Sequence, residues 1–225
     1  MFAVIFEVQP KPERWDDYLG IAKTLKPSLE KIDGFLDNER FNSRRRKGRL
    51  LSLSIWRDEK AVIRWRTLAQ HHQAQEKGRF EVFEDYHLRV GEITADRGSV
   101  AGETLLQQRF DETEVGAARA MTISEWTPVD DLPMGEPPAP GVLDAGVEGL
   151  IDHEVFESIT SPGKLVLLAA WREAALAEAW APPATAGYEL RHRQVRIIRD
   201  YGMLDRREAP QFYPAAGGSG VQKSP

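Results

Sequence analysis

The chain has 225 residues, 41% of them hydrophobic, with a formal net charge of -5, five histidines and no cysteine. The lack of cysteine excludes disulfides, thiolate catalysis and Cys-ligated metals. The mild acidic balance gives no footprint for nucleic acid, and no apolar run approaches the roughly 20 residues that cross a bilayer.

The N-terminus, Met1 to Glu7, has no basic stretch and meets an acid after six residues, so it reads as a strand rather than a signal peptide, and the protein as cytoplasmic. Phe2, Val4, Phe6 and Val8 share one face of that strand, which Pro10 and Pro12 stop. Trp15, Tyr18, Leu19, Ala22, Leu25, Leu29 and Ile32 then follow a helical period, with Pro27 expected to kink the helix and Asp33-Gly34 to end it. Phe35 to Ser43 alternates as a strand. A basic loop, Arg44 to Arg49, leads into a further strand over Leu50 to Trp56 and reads as a solvated hairpin turn. Asp58 or Glu59 starts a second helix through Trp65 and His72 to about Gly78, and Phe83 to Ile93 is a strand. The order β-α-β-β-α-β is the ferredoxin-like split unit.

The same pattern then returns. Gly34, Glu39, Phe41, Ser43, Gly48, Leu50, Leu53, Trp56, Arg57 and Trp65 reappear 115 residues later as Gly149, Glu154, Phe156, Ser158, Gly163, Leu165, Leu168, Trp171, Arg172 and Trp180. A period of that length is a domain, not a solenoid unit, and implies duplication and fusion. In the second copy the long first helix gives way to the breaker-rich Leu132 to Gly141, and the second survives only as Glu173 to Trp180. Leu105 to Phe110 reads as an extra strand between the copies. The expected division is a domain over 1–98, a degenerate copy over 99–213 and a disordered tail over 214–225. Residues 1–98 carry a charge of about +3 and the rest about -8, which favours docking of one half on the other.

Leu25 to Leu36, Glu39-Arg40-Phe41, Ser54-Ile55-Trp56-Arg57, and Trp65-Arg66 followed by His71, Gln75 and Gly78-Arg79 resemble the antibiotic biosynthesis monooxygenase family. That resemblance implies an α+β fold, two tandem ferredoxin-like domains forming a dimeric α+β barrel as a pseudo-dimer within one chain. It also implies oxygenation of a small or polycyclic aromatic phenol or enol with molecular oxygen and no cofactor. A non-catalytic ligand-binding or scaffold protein is the alternative from another class, and a homodimer of such chains through their outer surfaces stays open. Haem degradation, found among relatives, would call for an asparagine in the first strand and a histidine at position 75. This chain has Glu7 and Gln75 there.

Cofactor-free oxygenation needs a base near an apolar pocket, and histidine is the natural one. The family's recurrent histidine aligns with His71. On one continuous helix His72, seven residues after Trp65, returns to within about 20° of it and would face inward instead; both stay candidates. Tyr86 is the expected donor to the substrate oxygen, with Trp65, Phe41 and His72 as pocket wall. Glu39 shares a strand face with Phe41 and is a second base candidate, but its recurrence as Glu154 favours a structural ion pair, with Arg57 or Arg172 as partner. Trp65 and Phe41 also recur and so read equally as core. No metal site is expected, because the histidines are scattered and adjacent ones on a helix diverge.

Overall fold

A computed structural model describes residues 1–98, 105–129, 143 and 146–210. The expected breaker-rich segment Leu132 to Gly141 and the tail 214–225 lie outside the described residues. The first half supplies β1 (Phe2–Pro10), α1 (Trp15–Leu29), β2 (Phe35–Ser43), β3 (Leu50–Trp56), α2 (Glu59–Thr67), α3 (Ala69–Lys77) and β4 (Phe83–Arg97). The second supplies β5 (Ala120–Pro128), β6 (Leu150–Ser158), β7 (Leu165–Trp171), α4 (Ala174–Ala179) and β8 (Tyr188–Gly202).

All eight strands close into one barrel in the order β1-β3-β2-β6-β7-β5-β8-β4, with antiparallel neighbours throughout. The halves meet at two seams. At one, Phe41 pairs with Ser158 and Ser43 with Phe156, which are the same two repeat positions exchanged. At the other, where equivalent positions lie 102 residues apart, Val90 pairs with Arg199 and Arg97 with His192, again the same two positions exchanged. Exchange of equivalent partners across each seam is the signature of a pseudo-two-fold axis, so one chain builds what two copies of a half-length chain would build.

Closure buries both faces of every sheet. The inner face carries a single apolar cluster fed by all eight strands, among them Ile5, Phe41, Leu53, Ile93, Ile123, Phe156, Leu168 and Ile197. The outer face is covered by helices, and each half keeps its own tryptophan-centred cluster there, around Trp56 in the first and Trp171 in the second. Two repeated glycines take left-handed backbone in the turn that leads into a strand, Gly34 at φ 91° before β2 and Gly149 at φ 74° before β6. A Cβ at Gly34 would come within 2.7 Å of the Ala61 Cβ, so sterics as well as dihedral preference hold glycine at this repeat position.

One part of the barrel interior is ionic. Lys164 lies 2.6 Å from Glu39 and 2.9 Å from Glu125, and Arg193 also grips Glu125. On the pseudo-symmetric side Arg49 and Arg89 hold Glu7 at 3.1 and 2.9 Å, and Arg46 grips Glu154. Ser43 donates to Glu154 as Ser158 donates to Glu39. The basic loop is therefore solvated only in part: Arg44, Arg45 and Lys47 are exposed, while Arg46 and Arg49 answer carboxylates that strand alternation turns into the barrel. Glu39 is in an ion pair, as its repetition implies, but with Lys164 rather than an arginine; Arg57 instead binds Asp33.

Three other expectations change. Leu105 to Phe110 forms no strand, because the Glu92 carboxylate takes the backbone donors of Gln108 and Arg109. Pro27 falls in the last turn of α1, which continues to Leu29. The second helix is two helices, since Leu68 adopts extended backbone (φ -60°, ψ 125°) between α2 and α3.

Candidate functional site

The outer face of β1 to β4, together with α1, α2 and α3, encloses a cavity of about 200 Å³. Its floor is Val4 and Phe6 of β1, Ser52 and Ser54 of β3, and Leu88 and Val90 of β4. These are the positions that alternation turns away from the barrel core. Leu25 and Leu29 of α1 and Val62 and Trp65 of α2 wall it, and β8 brings Arg199 and Tyr201 across the seam. On the second half the corresponding face carries Leu143, Leu176 and Trp180 packed against Trp171 and its neighbours.

His71 lines this cavity, and the break at Leu68 puts it there. In an unbroken helix the Trp65 carbonyl would accept from the amide four residues on. Here it accepts from the Leu68 amide at 3.3 Å and from His71 Nδ1 at 2.9 Å, so the imidazole caps the end of α2. The ring stacks on the Trp65 indole with centroids 4.1 Å apart and planes 17° from parallel. A carbonyl can only accept, so Nδ1 carries the proton and Nε2 keeps its lone pair. Burial pushes the His71 pKa down to about 4, with the Trp65 carbonyl opposing and the His72 charge assisting. The ring is neutral at physiological pH.

The other expected residues separate. Trp65 lines the cavity beside His71. His72 turns outward, half exposed, 3.7 Å from Glu76. The helical-wheel argument for it assumed a continuous helix, which the Leu68 break removes. Phe41 and Glu39 face the barrel interior, not the cavity, and Asn38 and Arg40 occupy the cavity side of β2. Tyr86 stands one ring behind the wall, against Phe6 and Phe83 at 5.7 and 6.0 Å, and its hydroxyl accepts from Arg206.

The charged lining had no forecast in the sequence. Lys26, Arg40, Arg66 and Arg199 face the cavity with Glu59 as the one acid in its lining. Arg40 meets the Tyr18 phenol, whose pKa is raised by burial despite that contact. Burial pushes the Tyr201 pKa up to about 12, so it is a neutral hydrogen-bond donor at the wall. The available signal for Arg199 and Tyr201 was the Arg199 to Met203 stretch, which resembles the family but lies far along the chain. Among the described residues no cluster of three or more metal-binding side chains occurs, and no helix is long and apolar enough to cross a membrane.

His192, in the second half, is also neutral: it lies buried against Ser124 at 2.9 Å, and burial lowers its pKa to about 4. Both histidines bind a proton more readily unfolded, near pH 6.5, than folded. Stability is therefore expected to fall as pH drops from about 6.5 to 4. The held-down carboxylates of Glu125 and Asp200 add their losses only below about pH 4 to 4.5. Urea unfolding across this range should show the slope, and His192→Gln should flatten it.

Fold and cavity together define a class: an α+β barrel of two ferredoxin-like halves in one chain, with a cavity under the helices of one half. Residues 1–77 match the antibiotic biosynthesis monooxygenase family, and the chain belongs to that family. The jasmonate monooxygenase ABM of Pyricularia oryzae (strain 70-15) is 47% identical over 223 residues, covering 96% of this chain and all of the relative, so the likeness spans both halves. The uncharacterized protein YqjZ of Bacillus subtilis (strain 168) is 32% identical over 96 residues, 43% of this chain and 82% of its own. A crystal structure of an antibiotic biosynthesis monooxygenase superposes with a TM-score of 0.37 at 18% identity, covering 40% of this chain and 95% of that one.

Proposed function

We propose that the protein is a cofactor-independent monooxygenase for a small enolisable or phenolic molecule bound in the first-half cavity, with His71 as the base. The observation that carries this reading is the 2.9 Å contact of His71 Nδ1 with the Trp65 carbonyl in the cavity wall, which favours the Nδ1–H tautomer and leaves Nε2 as the proton acceptor. Proton loss to Nε2 gives a carbanion or its enolate. That anion passes one electron to molecular oxygen, and the resulting radical and superoxide combine to a hydroperoxide. Loss of water then leaves a carbonyl: one oxygen atom enters the product, the other leaves as water, and the substrate supplies the electrons. A base with a pKa near 4 is weak for this step. The cationic lining compensates, because positive charge beside the nascent enolate lowers the acidity barrier from the substrate side and an enolate beside the imidazolium raises the ring's own pKa.

The relative named for jasmonate suggests the first probe, since jasmonate is a cyclopentanone with enolisable positions. Oxygen uptake by protein free of metal and flavin, against jasmonate and a panel of phenols and anthrones, is expected to match product formed one to one. The product should have gained one oxygen and lost two hydrogens, with the label from ¹⁸O₂. Saturable binding with no oxygen uptake across the panel would favour the ligand-binding alternative, for which the capping and stacking of His71 offer a purely structural use.

A further inference from the structure

We propose that Arg66 and Arg199 form an anion anchor in the cavity and that the natural substrate is an organic acid held there by its carboxylate, an assignment that builds on the monooxygenase reading. Arg66 comes from α2 and Arg199 from β8, so the anchor is assembled across the seam between the halves. The two guanidinium groups are close enough that the charge on Arg199, together with burial, lowers the Arg66 pKa.

Neither has an ionic partner among the described residues. The carboxylates that stand near them are already taken: Arg109 holds both oxygens of Glu59 at 2.7 and 2.8 Å and also grips Asp111. The Arg66 Nε is buried and makes no hydrogen bond. Of the remaining cations of the lining, Lys26 pairs with Glu30 at 3.8 Å, and Arg40, beside the Tyr18 phenol, likewise keeps a buried Nε with no hydrogen bond and is a further donor to the same cavity. Glu59 acts on Arg66, and Asp111 on Arg199, only through space; two half-buried like charges with no carboxylate in direct contact are unfavourable, and a buried donor left unmade costs more than one exposed to water. A ligand carboxylate accepts from both guanidinium groups at once and cancels their repulsion. Tyr201, neutral and in the same wall, is an additional donor. The apolar lining beside them, Leu29, Val62, Leu88 and Val90, fits an aliphatic or alicyclic body. The ligand so described is an amphipathic monoanion.

The test compares acids with their methyl esters, which have nearly the same body but no charge. Quenching of tryptophan fluorescence should report the affinities of jasmonate and 4-phenylbutyrate against methyl jasmonate and methyl 4-phenylbutyrate. The acids are expected to bind about 10- to 100-fold more tightly than the esters, as charge-assisted hydrogen bonds would give. Arg199→Gln should weaken the acids by a similar factor, leave the esters within about two-fold, and remove the salt dependence of acid binding. Equal affinity for acid and ester in the unaltered protein overturns the anchor, and so does failure of every acid to bind. That comparison needs no variant to fold. It is also independent of turnover: an anchor that fails while oxygen uptake persists leaves the monooxygenase reading standing, and acids that bind without any uptake leave the anchor standing alone.

Discussion

His71→Ala is expected to lower turnover by about 10²- to 10⁴-fold, the range for loss of a general base, while ligand affinity changes little. Folding should survive, because the loss is one capping hydrogen bond to the Trp65 carbonyl and one ring stacked on the indole, together roughly 1–2 kcal/mol. His72→Ala is the matched control: the ring is half exposed beside Glu76 and outside the cavity lining, so activity should stay within about two-fold. The pH profile adds a second check. A base with a pKa near 4 is already deprotonated at neutral pH, so the acid limb of kcat/KM should lie near pH 4 rather than 6.5. An acid limb at 6.5 would mean that the ring titrates as an ordinary histidine, whereas an His71→Ala variant with full turnover would remove His71 from the role.

Lys164→Met should have the largest effect on stability, about 3–5 kcal/mol, the usual cost of leaving buried charge without its partner. Lys164 holds both Glu39 and Glu125, and their carboxylates raise its pKa against the downward pull of burial. Without it Glu125 still has Arg193, but Glu39 keeps only the Ser158 hydroxyl. A chain of this size should lose roughly 6–20 °C in Tm. Glu39→Gln added to Lys164→Met should recover part of the loss. A variant as stable as the parent at pH 7 would show that the interior charges are hydrated rather than paired.

The repeated residues made most of the architecture readable. Glycines and tryptophans that recur at one spacing mark the same turns and the same core positions twice, and β2 and β3 begin and end where alternation places them. The cavity was harder. In a closed barrel both faces of a strand are buried, one by the interior and one by helices, so alternation sorts Phe41 from Arg40 without telling which of them meets the ligand. The choice between His71 and His72 turned on a single residue, Leu68, whose break carries no glycine or proline to announce it. Its visible correlate is the imidazole that replaces the missing amide at the Trp65 carbonyl, a contact between neighbours that no periodicity encodes. Arg199 and Tyr201 reach the cavity only through the β4 to β8 seam, and pairing across such a distance is a property of the closed fold.

That seam also bears on how the chain can change over evolutionary time. In an assembly of two identical subunits every substitution appears twice, and each half must lend a strand as well as borrow one. Here the two tasks have come apart. The second half donates the β8 side chains Arg199 and Tyr201 while its own helical face is filled by Trp180 and Leu176. A mutation in β8 thus retunes the first-half cavity with no mirror-image consequence, and the second half cannot be discarded, because that cavity is missing a wall without β8. Fusion has turned a symmetric partnership into a division of labour.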